Sequence, residues 1–226
     1  MENFLDEIPD VELSDGRVTL RLLGKQDAEA VFALVDRNRG FLSRHLPWPA
    51  ECANVEDVEA RIDSWEMQAL MANGACWGIF EQGSRSLTSA DGQQFAGGSV
   101  PASDLRTAGS QQSAGDRYPA NGPQLAGVIV LGWIQAAHRS ASVSYWLGEE
   151  FTGRGLATSA LSLLSGFAFE TLGLNRLEIS ASLQNPASIA VATRAGFAQE
   201  GTCREYEYIN GHFEDHLRLS LLAKDN

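Results

Sequence analysis

The chain has 226 residues, of which 44 % are hydrophobic, a size and composition ordinary for one globular domain with or without added segments. Its formal net charge of −12 argues against a nucleic-acid-binding protein, because such proteins neutralise phosphates with a predominantly basic surface. No apolar run approaches the roughly 18 residues that cross a bilayer, and the first ten residues are acidic rather than basic, so we expect a cytoplasmic protein without membrane association.

The acidic residues are unevenly distributed. Six of them lie within residues 1–15, where there is no Lys or Arg, so this segment carries half of the net charge of −12. We therefore predict an acidic N-terminal tail over 1–15 and a single domain over 16–226. The charge that remains supports only a modest attraction for a cationic substrate.

The three cysteines indicate neither disulfides nor a metal centre. Cys52, Cys76 and Cys203 are odd in number and far apart, and they lack the paired Cys or His spacing of a zinc site. We expect such residues to be buried thiols or thiols without a chemical role. We accordingly predict no bound metal.

The first third of the chain predicts one strand and two helices. Val18–Leu23 is short, β-branched and apolar, and a helical spacing of apolar residues begins after Asp27. A second helix should begin at Asn54, a typical N-cap, and end before Gly74. Trp48, in the proline-containing loop between the two helices, is either an anchor packed on the core or a wall of a substrate pocket.

A low-complexity insertion interrupts the middle of the domain. The run Trp77–Glu81 predicts a strand, but 25 of the 42 residues from 83 to 124 are Gly, Ser, Ala or Gln. Such a segment cannot bury enough apolar surface to offset its ordering entropy, so we predict a flexible insertion in a hairpin and favour a tolerated surface loop over a functional lid. Strands are expected to resume at Leu125–Gln135 and Ser142–Leu147.

The densest pattern lies in the C-terminal half. A strand that ends at Leu147 leads into the glycine turn Thr152–Gly155, and the apolar spacing after the turn predicts a helix that ends at Leu172. A strand over Leu177–Ala181 follows, and then a helix that opens at Asn185 with a proline in its first position.

The chain ends in a predicted hairpin. The last strand, Leu217–Ala223, should pair with a segment near Cys203–Ile209 across the Asn210-Gly211 turn. Together these elements predict an α/β (α+β) fold in which helices flank a mixed, mostly antiparallel sheet.

The glycine turn is a candidate anion site. Glycines allow close approach of the backbone, and a helix that begins directly after them presents free N–H groups at its positive end. Gly153-Arg154-Gly155 lacks the Gly-Lys-Ser/Thr ending of a P-loop, and no GxGxxG with a following acidic residue indicates a dinucleotide-binding fold. The turn therefore predicts an anionic ligand outside those two nucleotide classes.

The residues around this turn resemble a known motif. Thr152-Gly153-Arg154-Gly155-Leu156-Ala157 resembles the acetyl-CoA motif Q/R-x-x-G-x-G/A of the GCN5-related N-acetyltransferase (GNAT) superfamily, with Thr152 in place of the usual Gln or Arg. The resemblance implies acetyl-CoA as the co-substrate, with its pyrophosphate held by the backbone amides of the turn. The residues so implied are Gly153, Arg154, Gly155, Leu156, Ala157 and Thr158.

A second stretch resembles the same superfamily. Asn185-Pro-Ala-Ser188, followed by Ala195-Gly196-Phe197, matches its N-x-x-S…GF element, which implies that Asn185 and Ser188 contact the co-substrate. Asn185 and Gly196 are also typical helix caps, and both interpretations can hold together. The resemblance extends from Val18 to Ala223 apart from the insertion. It is closest to the RimJ/RimL branch, which acetylates the N-termini of ribosomal proteins, at Leu46-Pro-Trp-Pro49, Tyr145-Trp146-Leu147 and Glu207-Tyr208-Ile209-Asn210-Gly211.

Acetyl transfer requires a base, an oxyanion donor and an acid. Many superfamily members place a Tyr acid four residues before the Gly-Phe pair, where this chain has Ala192. The RimL-like pattern instead implies Ser188 as the acid, Glu207 as the base, and the backbone N–H of Leu147, beside a strand bulge, as the donor to the thioester carbonyl. The plain alternative is that Glu207 is a solvated strand residue and Ser188 an ordinary first-turn residue. A histidine base and attack by an already neutral amine also stay open.

The acceptor is an amine whose identity the sequence leaves open. An α-amine with a pKa of about 7.7 to 8.0 loses its proton more readily than a lysine near 10.4, which favours the N-terminus of a protein such as a ribosomal protein. A small-molecule amine, either an antibiotic or a polyamine, is the alternative acceptor, and a non-catalytic acyl-CoA-binding module is the alternative to an enzyme. We expect a monomer or a homodimer.

Overall fold

A computed structural model describes residues 5–82 and 122–226. Within these residues the chain forms eight strands and five α-helices. The strands are β1 (Leu13–Ser14), β2 (Val18–Leu22), β3 (Ala75–Glu81), β4 (Gln124–Gln135), β5 (Ser140–Leu147), β6 (Arg176–Ser182), β7 (Ala198–Ile209) and β8 (His212–Leu222). The helices are α1 (Ala28–Arg37), α2 (Arg39–Leu42), α3 (Val55–Leu70), α4 (Leu156–Glu170) and α5 (Pro186–Arg194).

One sheet contains all eight strands in the order β1-β2-β3-β4-β5-β6-β8-β7. Neighbouring strands are antiparallel except for β5 and β6, which are parallel. The predicted mixed, mostly antiparallel sheet flanked by helices is confirmed. The predicted terminal hairpin is confirmed as well, because β7 and β8 pair along most of their length from the Ile209–His212 pair outward.

Helices cover the sheet on both sides. β3 is buried from Ala75 to Phe80, and because successive side chains of a strand point to opposite faces, both faces are covered there. Helix α1 contacts β4 and helix α3 contacts β3, whereas α4 contacts β2, β3 and β5. The ring of Trp77 on β3 meets that of Phe167 on α4 edge to face, with 6.0 Å between centroids. This packing holds α4, and the glycine turn before it, against the sheet.

The start and end of α3 follow from local chemistry. The Asn54 side-chain oxygen accepts a hydrogen bond of 2.9 Å from the N–H of Asp57, whose carboxylate accepts one of 3.2 Å from the N–H of Asn54. The predicted N-cap is therefore confirmed. The helix ends at Leu70, and at Gly74 an added Cβ would lie 2.6 Å from the carbonyl oxygen of Leu131, so a glycine is needed where the chain enters the sheet.

The acidic segment at the N-terminus lies against the domain from Ile8 onward. Ile8 is buried and its N–H donates to the carbonyl of Ala69 at 3.0 Å. Leu13 pairs with Leu20 where β1 joins the sheet. The acidic side chains themselves are exposed at Asp6, Glu7, Asp10, Glu12 and Asp15.

The predicted low-complexity insertion at 83–124 lies outside the described residues except for its last three positions. Its two flanks are adjacent, because Glu81 at the end of β3 pairs with Gln124 at the start of β4. In the described ranges no helix is long and apolar enough to cross a membrane. The same residues contain no group of three or more His, Cys, Asp or Glu side chains arranged to hold a metal ion.

Candidate active site

A cleft opens where the sheet divides between β5 and β6. These parallel strands pair at their beginnings, Ser140–Ser142 with Arg176–Glu178. Beyond this pairing β5 follows β4 as far as Leu147, whereas β6 follows β8 as far as Ser182. The diverging strands leave backbone N–H and C=O groups along the cleft that a ligand can use.

The glycine turn lies at this cleft and opens α4. Gly153 and Gly155 have φ angles of 72° and 78°, the left-handed region that residues with a side chain rarely adopt. The first residues of α4, whose N–H groups have no partner within the helix, line the cleft. The hydroxyl oxygen of Thr158, in the first turn, is buried with no hydrogen-bond partner among the described residues. The turn thus offers the donors that an anionic group such as a pyrophosphate requires.

Contacts from neighbouring elements hold the turn. Asn38, buried at the end of α1, accepts a 2.8 Å hydrogen bond from the N–H of Glu149 and so fixes the 3₁₀ turn that precedes the glycines. The Arg17 guanidinium donates to the carbonyl oxygen of Arg154. The Arg154 side chain forms a 2.9 Å ion pair with Glu81. Arg154 therefore belongs to the turn through its backbone, while its side chain points to β3.

A strand irregularity lies beside Leu147, where the RimL-like pattern implies one. The pairing of β4 with β3 shifts so that Ala126 is an extra residue between Leu125 and Gly127. Gly127 in turn pairs with Leu147, and a Cβ at Gly127 would lie 2.1 Å from the carbonyl oxygen of Trp146. This close backbone approach fixes the end of β5.

The cleft has a volume of about 600 Å³. Residues from β5, the glycine turn, α4 and α5 meet in its lining. Of the nine residues predicted to contact the co-substrate, only Arg154 is absent from the described lining. The other eight are Leu147, Gly153, Gly155, Leu156, Ala157, Thr158, Asn185 and Ser188.

Two hydroxyl groups meet on the cleft wall. The Asn185 side chain accepts a 3.1 Å hydrogen bond from the N–H of Ser188, which caps α5 and positions Ser188 in its first turn. The Ser188 hydroxyl donates to the Tyr145 hydroxyl oxygen at 3.2 Å, and Tyr145 donates to the Ser188 carbonyl at 2.9 Å. Burial raises the pKa of Tyr145, although the Ser188 hydrogen bond lowers it. Tyr145 is therefore protonated at neutral pH, and its hydroxyl oxygen orients the Ser188 hydroxyl.

Sequence reasoning missed the chemical role available to Tyr145. It placed the common tyrosine position of the superfamily at Ala192, which is fully buried in α5. The signal that could have found Tyr145 is strand alternation, because a residue two positions before Leu147 shares its face of β5. Tyr145 and Leu147 both line the cleft.

The segment 41–46, which begins at the end of α2, forms another wall of the cleft. Asn210, in the turn between β7 and β8, donates to the Ser43 carbonyl at 3.0 Å, so the terminal hairpin holds this wall. The Nδ1 atom of His45 is buried in the wall with no hydrogen-bond partner in the part of the chain that the structure describes.

Two residues singled out in the sequence lie outside the described lining of the cleft. Glu207 is on β7, with 40 % of its side chain exposed and its Oε2 3.4 Å from Nε2 of His216. The structure therefore does not place Glu207 on the same wall as Ser188. Trp48 packs on Trp146, which lines the cleft, with ring centroids 5.5 Å apart. Trp48 is thus an anchor behind the wall.

A turn that can accept an anion, at a split parallel strand pair and beside a cleft that carries hydroxyl groups, suits an acyltransferase that uses a phosphate-bearing acyl carrier. A family model described as the acetyltransferase (GNAT) domain matches residues 17–198. The chain belongs to this family of N-acetyltransferases, as its motifs predict.

Individual relatives agree with the predicted RimJ/RimL-like branch. YdaF of Bacillus subtilis (strain 168), provisionally named a ribosomal N-acetyltransferase, is 29 % identical over 209 residues, which cover 92 % of each chain. The ribosomal-protein-serine acetyltransferase of Escherichia coli (strain K12) is 34 % identical over 92 residues, 41 % of this chain and 51 % of that one. The solved structure of RimL, a ribosomal L7/L12 alpha-N-protein acetyltransferase in complex with coenzyme A, shares the fold with a TM-score of 0.71, at 22 % identity over 97 % of this chain and 99 % of that chain.

Proposed function

We propose that this protein transfers the acetyl group of acetyl-CoA to the N-terminal α-amine of a protein, such as a ribosomal protein, in the cytoplasm. The observation that carries the proposal is the continuity of the cleft, which joins the glycine turn to the hydroxyl pair of Tyr145 and Ser188. The names of the ribosomal acetyltransferases among its relatives support the choice of acceptor.

The residues of the turn fit a pyrophosphate. The N–H groups from Gly153 to Thr158 would hold its oxygens, and the hydroxyl of Thr158, which has no partner among the described residues, would supply one more donor. The free edges of β5 and β6 suit the amide groups of an extended pantetheine arm. When bound, acetyl-CoA supplies an acetyl group activated as a thioester.

Three groups of the chain would carry out the transfer. The N–H of Leu147 at the end of β5 polarises the thioester carbonyl and stabilises the oxyanion. The Ser188 hydroxyl, oriented by Tyr145, donates a proton to the departing thiolate and regains one from solvent as coenzyme A leaves. Glu207 accepts a proton from the amine, directly or through a water, and its side chain, 40 % exposed, is open to an acceptor that arrives from solvent.

The charges of the cleft favour an α-amine over a polyamine. Its lining contains Arg44 and Arg194, and among the described residues that line it there is no Asp or Glu. A polycation such as spermidine would meet like charges there, whereas an α-amine with a pKa of about 7.7 to 8.0 is partly neutral near pH 7. The cleft therefore suits a polypeptide N-terminus better than a multiply charged small amine.

Turnover with a panel of acceptors tests this proposal. Purified protein and acetyl-CoA are incubated with peptides that have a free N-terminus, the same peptides blocked at the N-terminus but containing Lys, spermidine and an aminoglycoside, and thiol release is measured. We expect release with free N-termini and little with the other acceptors. A preference for spermidine or the aminoglycoside would establish the small-amine alternative. Acetyl-CoA binding without turnover on any acceptor would contradict an enzymatic function.

Replacement of Gly155 by Val tests the placement of acetyl-CoA. A side chain at a φ of 78° strains the turn and obstructs its N–H groups, so we expect the acetyl-CoA-induced rise in Tm to disappear and KM for acetyl-CoA to rise roughly tenfold or more. Gly211→Val is the matched control, because Gly211 has a φ of 87° in the β7–β8 turn, outside the cleft lining. A folded Gly155→Val variant that binds acetyl-CoA like the wild type would refute the placement.

A further inference from the structure

A buried histidine lies next to the residue proposed as the base. His216 on β8 is only 5 % exposed, and neither ring nitrogen forms a hydrogen bond with a described residue. A buried polar group without a partner costs free energy, so its presence in a native fold calls for an explanation such as a catalytic role. The Nε2 atom of this ring is 3.4 Å from Oε2 of Glu207.

Strand pairing sets this neighbourhood. Glu207 on β7 pairs directly with Glu214 on β8, and His216 pairs with Cys203 on β7 and with Ser182 on β6. Directly paired residues have side chains on the same face of a sheet, as do residues two apart on one strand. Glu207, Glu214 and His216 are therefore neighbours on one face.

Glu214 is already engaged by other groups. It is 6 % exposed, and it accepts a hydrogen bond from the Ser182 hydroxyl. Its other carboxylate oxygen lies 3.3 Å from Nε2 of His212. Of the two carboxylates near His216, Glu207 is thus the one with a solvent-exposed end.

The ring of His216 is enclosed by charged and aromatic groups. Tyr206 packs against it at a tilt of 38° with 4.8 Å between centroids, and the Arg218 guanidinium lies 5.7 Å from the Tyr206 ring. The charged groups that act on the imidazole are Glu207 from β7 and Glu214 and Arg218 from β8. Burial lowers its pKa, Glu207 and Glu214 raise it, and Arg218 lowers it, with a net lowering that leaves the ring neutral at pH 7.

A bulge holds Glu207 in this position. The pairing of β7 with β8 shifts between Cys203 and Glu207, and Glu205 within the shift has a φ of 49°. The N–H of Glu205 donates to the Asp215 carboxylate at 2.8 Å. The bulged strand is therefore fixed to β8 next to His216.

We propose that His216 is a positioning residue for Glu207 and receives from it the proton of the acceptor amine. The inference rests on the proposed function, in which Glu207 is the base. The amine N–H bond breaks as an O–H bond forms on Glu207. The proton then passes to Nε2 of His216, which carries no hydrogen when the neutral ring is protonated at Nδ1. Glu207 returns to its ionised form beside an imidazolium stabilised by two carboxylates, and the proton leaves to solvent through the exposed end of Glu207 after the product departs.

Titration of His216 by NMR tests the coupling without relying on activity. Its ring signals are assigned by their absence in His216→Gln, and its pKa is measured in the wild type and in Glu207→Gln. We expect the pKa to fall in Glu207→Gln, because the negative charge that favours the imidazolium is removed. Glu205→Gln, which removes an exposed charge from the same strand, is the control and should leave the pKa unchanged. An unchanged pKa in Glu207→Gln would overturn the inference.

A double-mutant cycle on turnover tests the relay itself. We expect kcat to fall roughly tenfold in His216→Gln, roughly 10²- to 10⁴-fold in Glu207→Gln, and no further in the double variant, since the two residues act in one path. His138→Gln, in the exposed β4–β5 turn at the opposite end of β6, is the matched control and should keep wild-type kcat. If the His216→Gln protein does not melt cooperatively, His216→Asn is measured in its place.

The outcomes separate the relay from the proposed function. If Glu207→Gln keeps wild-type turnover, the base assignment is wrong and the relay falls with it. If Glu207→Gln loses turnover but the effects of the two single variants multiply in the double variant, Glu207 remains the base and the relay is wrong. A wild-type protein that releases no thiol with any acceptor would contradict the proposed function itself.

Discussion

At the scale of single residues, Ser188 takes part both in the cap of α5 and in the hydroxyl pair on the cleft wall. Its N–H is held by the Asn185 cap, and its hydroxyl is held by Tyr145. The capping role and the proposed acid role are therefore compatible, because different atoms of Ser188 serve them. The cap thus places the backbone of Ser188, and Tyr145 orients its hydroxyl.

Tyr145→Phe tests whether the second hydroxyl orients the first. The change keeps the ring and removes only the oxygen that accepts from Ser188, so we expect kcat to fall about tenfold with KM for acetyl-CoA little changed. Ser188→Ala should lower kcat at least as much, and the double variant should be no slower than Ser188→Ala. Tyr208→Phe, at an exposed position of β7, is the control. If the fold-loss of kcat in the double variant equals the product of the two single losses, the two hydroxyls act separately.

At the scale of elements, the strands β3 and β4 are adjacent at the ends that the low-complexity segment joins. Glu81 and Gln124 are paired, so a short connection can span the distance between their strands. The composition of residues 83–124 predicts a segment that adds little to the core. We therefore propose that the catalytic domain does not depend on it.

Replacing residues 84–123 with a short Gly-Ser linker tests this independence. We expect a folded protein with a Tm within a few degrees of the wild type and turnover within about twofold, because closing a shorter loop costs less entropy. Circular dichroism melting and thiol release provide the two measurements. A variant that melts normally but has lost most of its turnover would show instead that the segment contributes to the substrate site.

At the scale of the whole molecule, His216 makes stability depend on pH in a defined window. Its pKa in the folded protein is lowered by burial from the usual value near 6.5, so below pH 6.5 the unfolded chain binds a proton that the folded protein does not. Stability should therefore decline as the pH falls from about 7 toward the folded pKa. The paired carboxylate Glu200, whose pKa Arg176 lowers to about 2, loses its contribution only in stronger acid, below about pH 4.5.

Thermal melting from pH 8 to pH 5 in the wild type and in His216→Gln checks this window. We expect a fall in Tm near and below pH 6.5 in the wild type and a smaller fall in the variant, since the variant lacks the titrating ring. Identical pH profiles for the two proteins would show that His216 does not titrate as its burial requires.

Local chemistry in the sequence was sufficient to predict most of the helices and strands and the glycine turn at the cleft. The cap at Asn54, the glycines of Thr152–Gly155 and the proline-led helix after Asn185 act within a few residues, so their signals appear in the chain itself. The GNAT family was also predicted from these motifs and is confirmed by the match over residues 17–198. The proposed roles of the site residues remain predictions.

Only the tertiary structure decided which side chains meet. Tyr145 and Ser188 are 43 residues apart in the chain and are joined by the packing of α5 beside the divided sheet. His216 and Glu207 come together because a bulge in β7 changes which side chains oppose one another across the hairpin. Such contacts depend on strand register and on packing between distant segments, so the spacing of residues within one segment does not predict them.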